Sequence, residues 1–167
     1  TPGGITWDGS SFWMFATSQS RIYQFQIVGS GTTTLSYFEA PTQVIGGGIT
    51  NDLAWDGVNL WYANEYKVYK LDTAGNVLSF FAWPKNVAGL DWDGSHLWIT
   101  YKDDTFANTI FVAVDTSGNV LGTFTSPVFD IESIAWGSNN HVWGFGSDSF
   151  AGTGKIYELD LSAAKAT

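Results

Sequence analysis

The sequence predicts an all-β fold on three observations. A Trp-Asp-Gly or Trp-Gly stretch, followed within a few residues by a second Trp, returns four times. Short β-branched and aromatic segments separated by turn residues fill the intervals. No segment carries a helical period over a useful length. The first Trp of each copy falls at 7, 55, 92 and 136, in steps of 48, 37 and 44 residues, and a period in the forties marks a propeller blade. The expected architecture is a four-bladed β-propeller with antiparallel strands. It forms a single domain, 1–167, with blades at about 4–45, 46–86, 87–128 and 129–167.

The clearest copy is Leu90-Asp91-Trp92-Asp93-Gly94-Ser95-His96-Leu97-Trp98. It reads as strand a ending in Trp, a two-residue Asp-Gly hairpin, and strand b opening on Leu-Trp. Strand b covers 12–16, 60–64, 97–101 and 142–145, and strand c covers 22–26, 68–72, 111–115 and 156–160. Strand d covers 34–38, 77–81 and 120–124, and Pro41, Pro84 and Pro127 close these strands. A residue without an N–H suits a strand end or an outer edge. The first Trp of each copy is expected to wedge neighbouring sheets, each buried ring being worth about 3–5 kcal/mol. Residues 161–167 resemble a d strand only faintly, so the last blade is expected to lack its own outer strand. That leaves a three-stranded blade, an excerpt of a longer propeller, or a strand donated by a neighbouring molecule.

Composition narrows the function classes. A net charge of -9 lacks the basic footprint that a nucleic-acid backbone or an anionic lipid surface demands. No apolar run approaches the length needed to cross a bilayer as a helix, so no membrane insertion is expected. The absence of cysteine removes disulfides and thiolate metal sites. A removed leader or a trimmed chain would each account for a start at Thr1. Abundant Ser, Thr, Gly and Trp with few Lys points to an extracellular or particle-surface setting.

Most polar residues belong to turns on this reading. His96 and His141 occupy the slot that Ser11 and Asn59 fill elsewhere, and Asp8, Asp56, Asp93, Asp72 and Asp115 cap hairpins. Departures from the repeat are the candidates for binding. Asp91 stands where other copies have Thr6, Ala54 and Ala135, which would turn a carboxylate toward the axis or a blade interface. Trp83 lies off the frame, as a packing filler or an exposed anchor. The b–c loops at 101–109 and 146–154 are long and bring Tyr101, Asp103, Asp104, Phe106, Asp148 and Phe150. The d–a linkers on the same face add Asp52 and Glu132.

The Trp-Asp-Gly, Leu-Trp, Val-Tyr-Lys-Leu-Asp and Gly-Asn-Val-Leu elements resemble propellers of the broad NHL, YVTN and SMP-30-like group. That resemblance implies the fold over nearly the whole chain and leaves function open, since the group holds binding proteins, scaffolds and enzymes. Its metal-dependent enzymes use inward carboxylates with His or Asn. Here Asp91, Asp52 and Glu132 are present but no His accompanies them on the inner strands. No nucleophile elbow, phosphate loop or zinc spacing appears, so no metal, cofactor or catalytic residue is expected. The leading expectation is a non-catalytic protein-binding or self-assembly module, its partners including copies of itself by strand addition at the last blade. The alternatives are a glycan-binding propeller using Trp83, Tyr101 or Phe150, and a metal-dependent hydrolase or lyase centred on Asp91.

Overall fold

The computed structural model describes residues 2–41, 51–105, 107–126, 128, 130–137, 141–148 and 153–161. It is an all-β propeller of four antiparallel blades. Blade 1 is β1 (Pro2–Trp7), β2 (Phe12–Ala16), β3 (Arg21–Val28) and β4 (Gly31–Glu39). Blade 2 is β5 (Asn51–Trp55), β6 (Leu60–Asn64), β7 (Lys67–Leu71) and β8 (Val77–Ala82). Blade 3 is β9 (Gly89–Trp92), β10 (Leu97–Lys102), β11 (Thr109–Val114) and β12 (Val120–Ser126). Blade 4 is β13 (Ile131–Trp136), β14 (His141–Asp148) and β15 (Thr153–Asp160), a three-stranded sheet among the described residues. The inner strands pack in series, β1 on β5, β5 on β9 and β9 on β13.

The a–b connection differs from the two-residue hairpin expected. Trp7 pairs with Phe12, so four residues, Asp8 to Ser11, make the turn. The reason lies in the Asp side chain. Its Oδ1 accepts the N–H groups of Ser10 and Ser11, both at 2.7 Å, and its Oδ2 accepts Trp13 Nε1–H at 2.8 Å. Blade 2 repeats this with Asp56 and Trp61 at 3.0 Å, and blade 3 with Asp93 and Trp98 at 2.8 Å. One carboxylate thus closes the turn and fixes the indole of the next strand.

The clamped tryptophan, the second of the pair in blades 1 to 3, is the one that wedges the sheets. Trp13 and Trp61 are fully buried and Trp98 is 4% exposed, whereas Trp7 is 48% exposed. Trp13, Phe15 and Ile22 of blade 1 pack on Leu53, Leu60, Tyr62 and Leu71 of blade 2. Trp61 and Val68 of blade 2 pack on Leu90, Ile99 and Val112 of blade 3, and Trp98 and Phe111 of blade 3 pack on Ile131, Ile134 and Val142 of blade 4. A second contact follows the rim. The c–d turns carry Gly75 and Gly118 at φ +89 and +84, where a Cβ would stand 2.5 and 2.6 Å from the Phe38 and Phe81 rings of the preceding blade.

The stretch at 146–154 is shorter as a loop than its Gly and Ser content suggested. β14 runs through Asp148 and β15 begins at Thr153, with Ser147 opposite Gly154. Asp52 and Glu132 likewise lie in strands β5 and β13 and not in linkers.

Replacing Asp93 with Ala strands the buried Trp98 N–H and opens the turn. The expected cost is about 1–3 kcal/mol in denaturant unfolding. An unchanged midpoint would show that the clamp does not hold the blade.

Candidate functional site

Each inner strand ends on its first tryptophan, so Trp7, Trp55, Trp92 and Trp136 gather at one end of the propeller axis. They line a cleft of about 380 Å³ with Ile5, Thr6, Phe12, Asp91, Ile134 and Ala135. Trp136 stacks on Trp98, with ring centroids 5.0 Å apart, and Trp7 tilts against Phe12 at 4.5 Å. Asp91 is the carboxylate in this wall, and its Oδ2 accepts the Trp136 N–H across the blade 3–blade 4 junction. Burial pushes its pKa up, opposed by the N–H groups of Trp136 and Trp92. The cleft offers flat apolar rings beside one carboxyl, which suits stacking and hydrogen bonding to a ring-shaped ligand.

A second carboxyl closes the opposite end of the inner strands. Three residues before each first tryptophan stand Gly4, Asp52, Gly89 and Ser133, one per blade. Asp52 is 2% exposed and accepts Leu53 N–H at 2.9 Å, Leu90 N–H at 3.0 Å and Ser133 Oγ–H at 3.2 Å. From blade 1, Gly4 approaches so closely that a Cβ there would stand 2.1 Å from Asp52 Oδ1. Burial raises the Asp52 pKa to about 8, with the hydrogen bonds opposing and the charge of Asp91 assisting. Asp52 is therefore an internal tie between blades 2, 3 and 4.

The other candidates scatter over the molecule. Trp83 is 6% exposed and packs edge-on against Tyr101 at 6.3 Å, so it fills the core and is not a surface anchor. Its Nε1 is buried without a hydrogen-bond partner among the described residues. Asp103 organises its own loop by accepting Thr105 Oγ1–H, Ala107 N–H and Asn108 Nδ2–H. Those bonds, led by Asn108, lower its pKa to about 2. Exposed Asp104 pairs with Lys85, and Asp130 in the blade 3–blade 4 linker pairs with Lys102. Glu132 is exposed on β13, and Asp148 lies in β14. Phe106 and Phe150 lie outside the described residues. The structure thus unites Asp91 with four frame tryptophans that the sequence assigned to packing, and keeps it apart from the b–c loops. Among the described residues, no three His, Cys, Asp or Glu side chains are placed to hold a metal ion.

Fold and site together define a β-propeller with an indole-walled axial cleft. No family model and no curated protein matches the sequence. Solved structures do match in shape. Hydrazine synthase from Kuenenia stuttgartiensis aligns with a TM-score of 0.64 at 12% identity, over 97% of this chain and 46% of that one. BamB from Moraxella catarrhalis aligns at 0.58 and 12% identity, over 94% and 43%. BBS1N, solved in complex with ARL6DN, aligns at 0.57 and 10% identity, over 100% and 49%. At such identities the likeness shows the propeller fold alone. The chain spans about half the length of these structures.

The carboxylates set opposite pH trends. For Asp8, Asp56 and Asp93, burial disfavours the charge but the clamp hydrogen bonds outweigh it and lower the pKa. Their stabilisation is present above about pH 4 and is lost in acid. Asp52 runs the other way. Its folded pKa lies above the unfolded one, so its stabilisation is complete below about pH 4 and is lost as pH climbs through 8. Each pH unit in that window costs up to about 1.4 kcal/mol. Unfolding titrations between pH 5 and pH 9 should show this decline in the native sequence and little of it in Asp52→Asn. Parallel curves would mean that Asp52 titrates normally.

Proposed function

We propose that the protein is a non-catalytic propeller module that binds protein, and that its working surfaces are the outward faces of its two end blades. The carrying observation is a comparison within the chain. In blade 1, Trp13, Phe15 and Ile22 are fully buried under blade 2. In blade 4 the same residue types recur in the same register as Trp143, Phe145 and Ile156, with Phe145 opposite Ile156 as Phe15 is opposite Ile22. There they are 45%, 48% and 74% exposed. Apolar area of this kind marks an interaction surface. BBS1N, a likeness in fold, was solved with a protein partner. The non-catalytic part of the proposal rests on engaged carboxylates: three serve indole clamps, Asp72 and Asp115 cap turns, and Asp52 ties the axis. The strand and turn signatures favour a place in the NHL, YVTN and SMP-30-like group, and the abundance of Ser, Thr, Gly and Trp with few Lys favours a place outside the cell or on a particle surface.

The chain has no cysteine, so Ile156→Cys provides one reactive thiol without background. Its labelling should be fast in the isolated protein and slow by at least tenfold once a protein partner is bound. Equal rates with the partner present would remove this face from the binding surface.

The axial cleft favours a second reading, a glycan site in which Trp7, Trp55, Trp92 or Trp136 stacks on a sugar ring beside Asp91. A glycan array should then show a signal that Trp92→Ala abolishes while the far-ultraviolet spectrum is kept. Silence of the folded native protein across the array would end this reading.

A further inference from the structure

We propose that the axial cleft binds a methylated ammonium group, carried by a small quaternary amine or by a trimethylated lysine side chain. The proposal concerns the cleft and not the end faces, so it stands or falls apart from the protein-binding reading. The core of the site lies inside the chain. Asp91 and Trp92 of blade 3 meet Trp136 of blade 4 across their junction, and Trp55 of blade 2 adds to the same wall.

The walls are indole rings with no cation over them. Elsewhere in the molecule aromatic rings already hold cations. Lys70 Nζ lies 5.0 Å from the centroid of the Trp61 ring, Arg21 Cζ 4.7 Å from that of Tyr37, and Lys67 Nζ 5.6 Å from that of Phe80. Among the described residues no Lys or Arg stands over Trp7, Trp55, Trp92 or Trp136, and none lines the cleft. The negative side of the indole quadrupole attracts a cation, most strongly where water is partly excluded. The rings are also held before a ligand arrives, Trp136 by stacking on Trp98 at 5.0 Å and Trp7 by Phe12 at 4.5 Å. Fixed walls reduce the ordering cost of binding.

The polar side of the cleft selects the head group. Burial, and less strongly the charge of Asp93, push the Asp91 pKa up against the N–H groups of Trp136 and Trp92. A cation beside Asp91 favours its charged form and relieves that repulsion. Among the described residues, Asp91 and Thr6 are the lining residues with a side-chain oxygen. A primary ammonium brings three N–H donors, and a sugar brings a ring of hydroxyls, each of which needs a partner once water leaves. A quaternary nitrogen has no N–H. Asp91 offsets its charge, and its methyl groups pack on the indoles. At about 380 Å³ the cleft lies near the small end of ligand sites, which begin at about 300 Å³, as a compact head group requires.

The test is a tryptophan-fluorescence titration of the folded native protein with choline, with sodium at equal ionic strength as the blank. Choline is expected to bind, and its neutral isostere, with carbon in place of nitrogen, to bind at least about tenfold more weakly. Asp91→Asn keeps an oxygen for the Trp136 N–H and removes the charge, so it should weaken choline about tenfold with the sheet spectrum unchanged. Trp92→Ala should weaken it by a similar factor. A peptide carrying trimethyllysine offers the same group from a protein, and the tighter of the two ligands identifies the source. No response to choline or to the peptide above the sodium blank would overturn the proposal. Equal affinity for the neutral isostere, or full affinity in Asp91→Asn, would do the same. A glycan-array signal without binding of either ammonium ligand would overturn it in favour of the sugar reading of this cleft.

Discussion

An indole N–H held by the carboxylate of the preceding turn is the contact on which the remaining structure depends. Tryptophan fills the gap between two sheets better than any other side chain, but its N–H must find an acceptor once water is gone. Here the acceptor comes from the same blade, five residues back, at 2.8 to 3.0 Å. The facing blade can then be wholly apolar. That division explains why Leu, Val, Ile and Tyr dominate the opposing surfaces in all three buried junctions.

The fourth copy shows what the contact controls. Gly137 replaces the turn Asp, and Trp143 is left without the clamp and 45% exposed. Two local facts meet there: glycine stands in place of the turn aspartate, and no blade lies on that side of β14 among the described residues. The interior junctions have both the aspartate and the facing blade.

The strands were legible because their signals are local. Turn aspartates, β-branched runs and the spacing of the tryptophans sit within a few residues of one another, and they mark strands b, c and d closely. Which tryptophan of a pair wedges the sheets was less accessible, since both are aromatic and both end or open a strand. Register decides it. Trp7 pairs with Phe12 and so shares the backward face, while Trp13 next along the strand faces forward. Asp52 was harder still. Its neighbours in sequence read as a polar linker, and its burial exists only once three other inner strands converge on it. A signal was nonetheless present in the residues three before each Trp: Gly4, Gly89 and Ser133 are small and make room for the one carboxyl among them. Trp83 misled for the opposite reason. A ring outside the repeat looks free to bind, yet the irregular d–a linker uses it to fill its own gap against Phe81 and Tyr101.

Repeat folds normally end in caps whose outer faces are polar, because each internal face is apolar and needs cover. The outward faces of blades 1 and 4 keep the aromatic and aliphatic residues of the interior faces. Blade 4 carries outward the same Trp, Phe and Ile that blade 1 buries, and blade 1 carries outward Ile5, Trp7, Met14, Tyr23 and Phe25. The net charge of -9 opposes indiscriminate association, and the two faces carry polar pairs of their own, Arg21 with Glu39 on blade 1 and His141 with Glu158 on blade 4. The two faces repeat the aromatic and aliphatic positions of the interior junctions in register. The same physics that stacks blade on blade inside the chain therefore acts on these two faces.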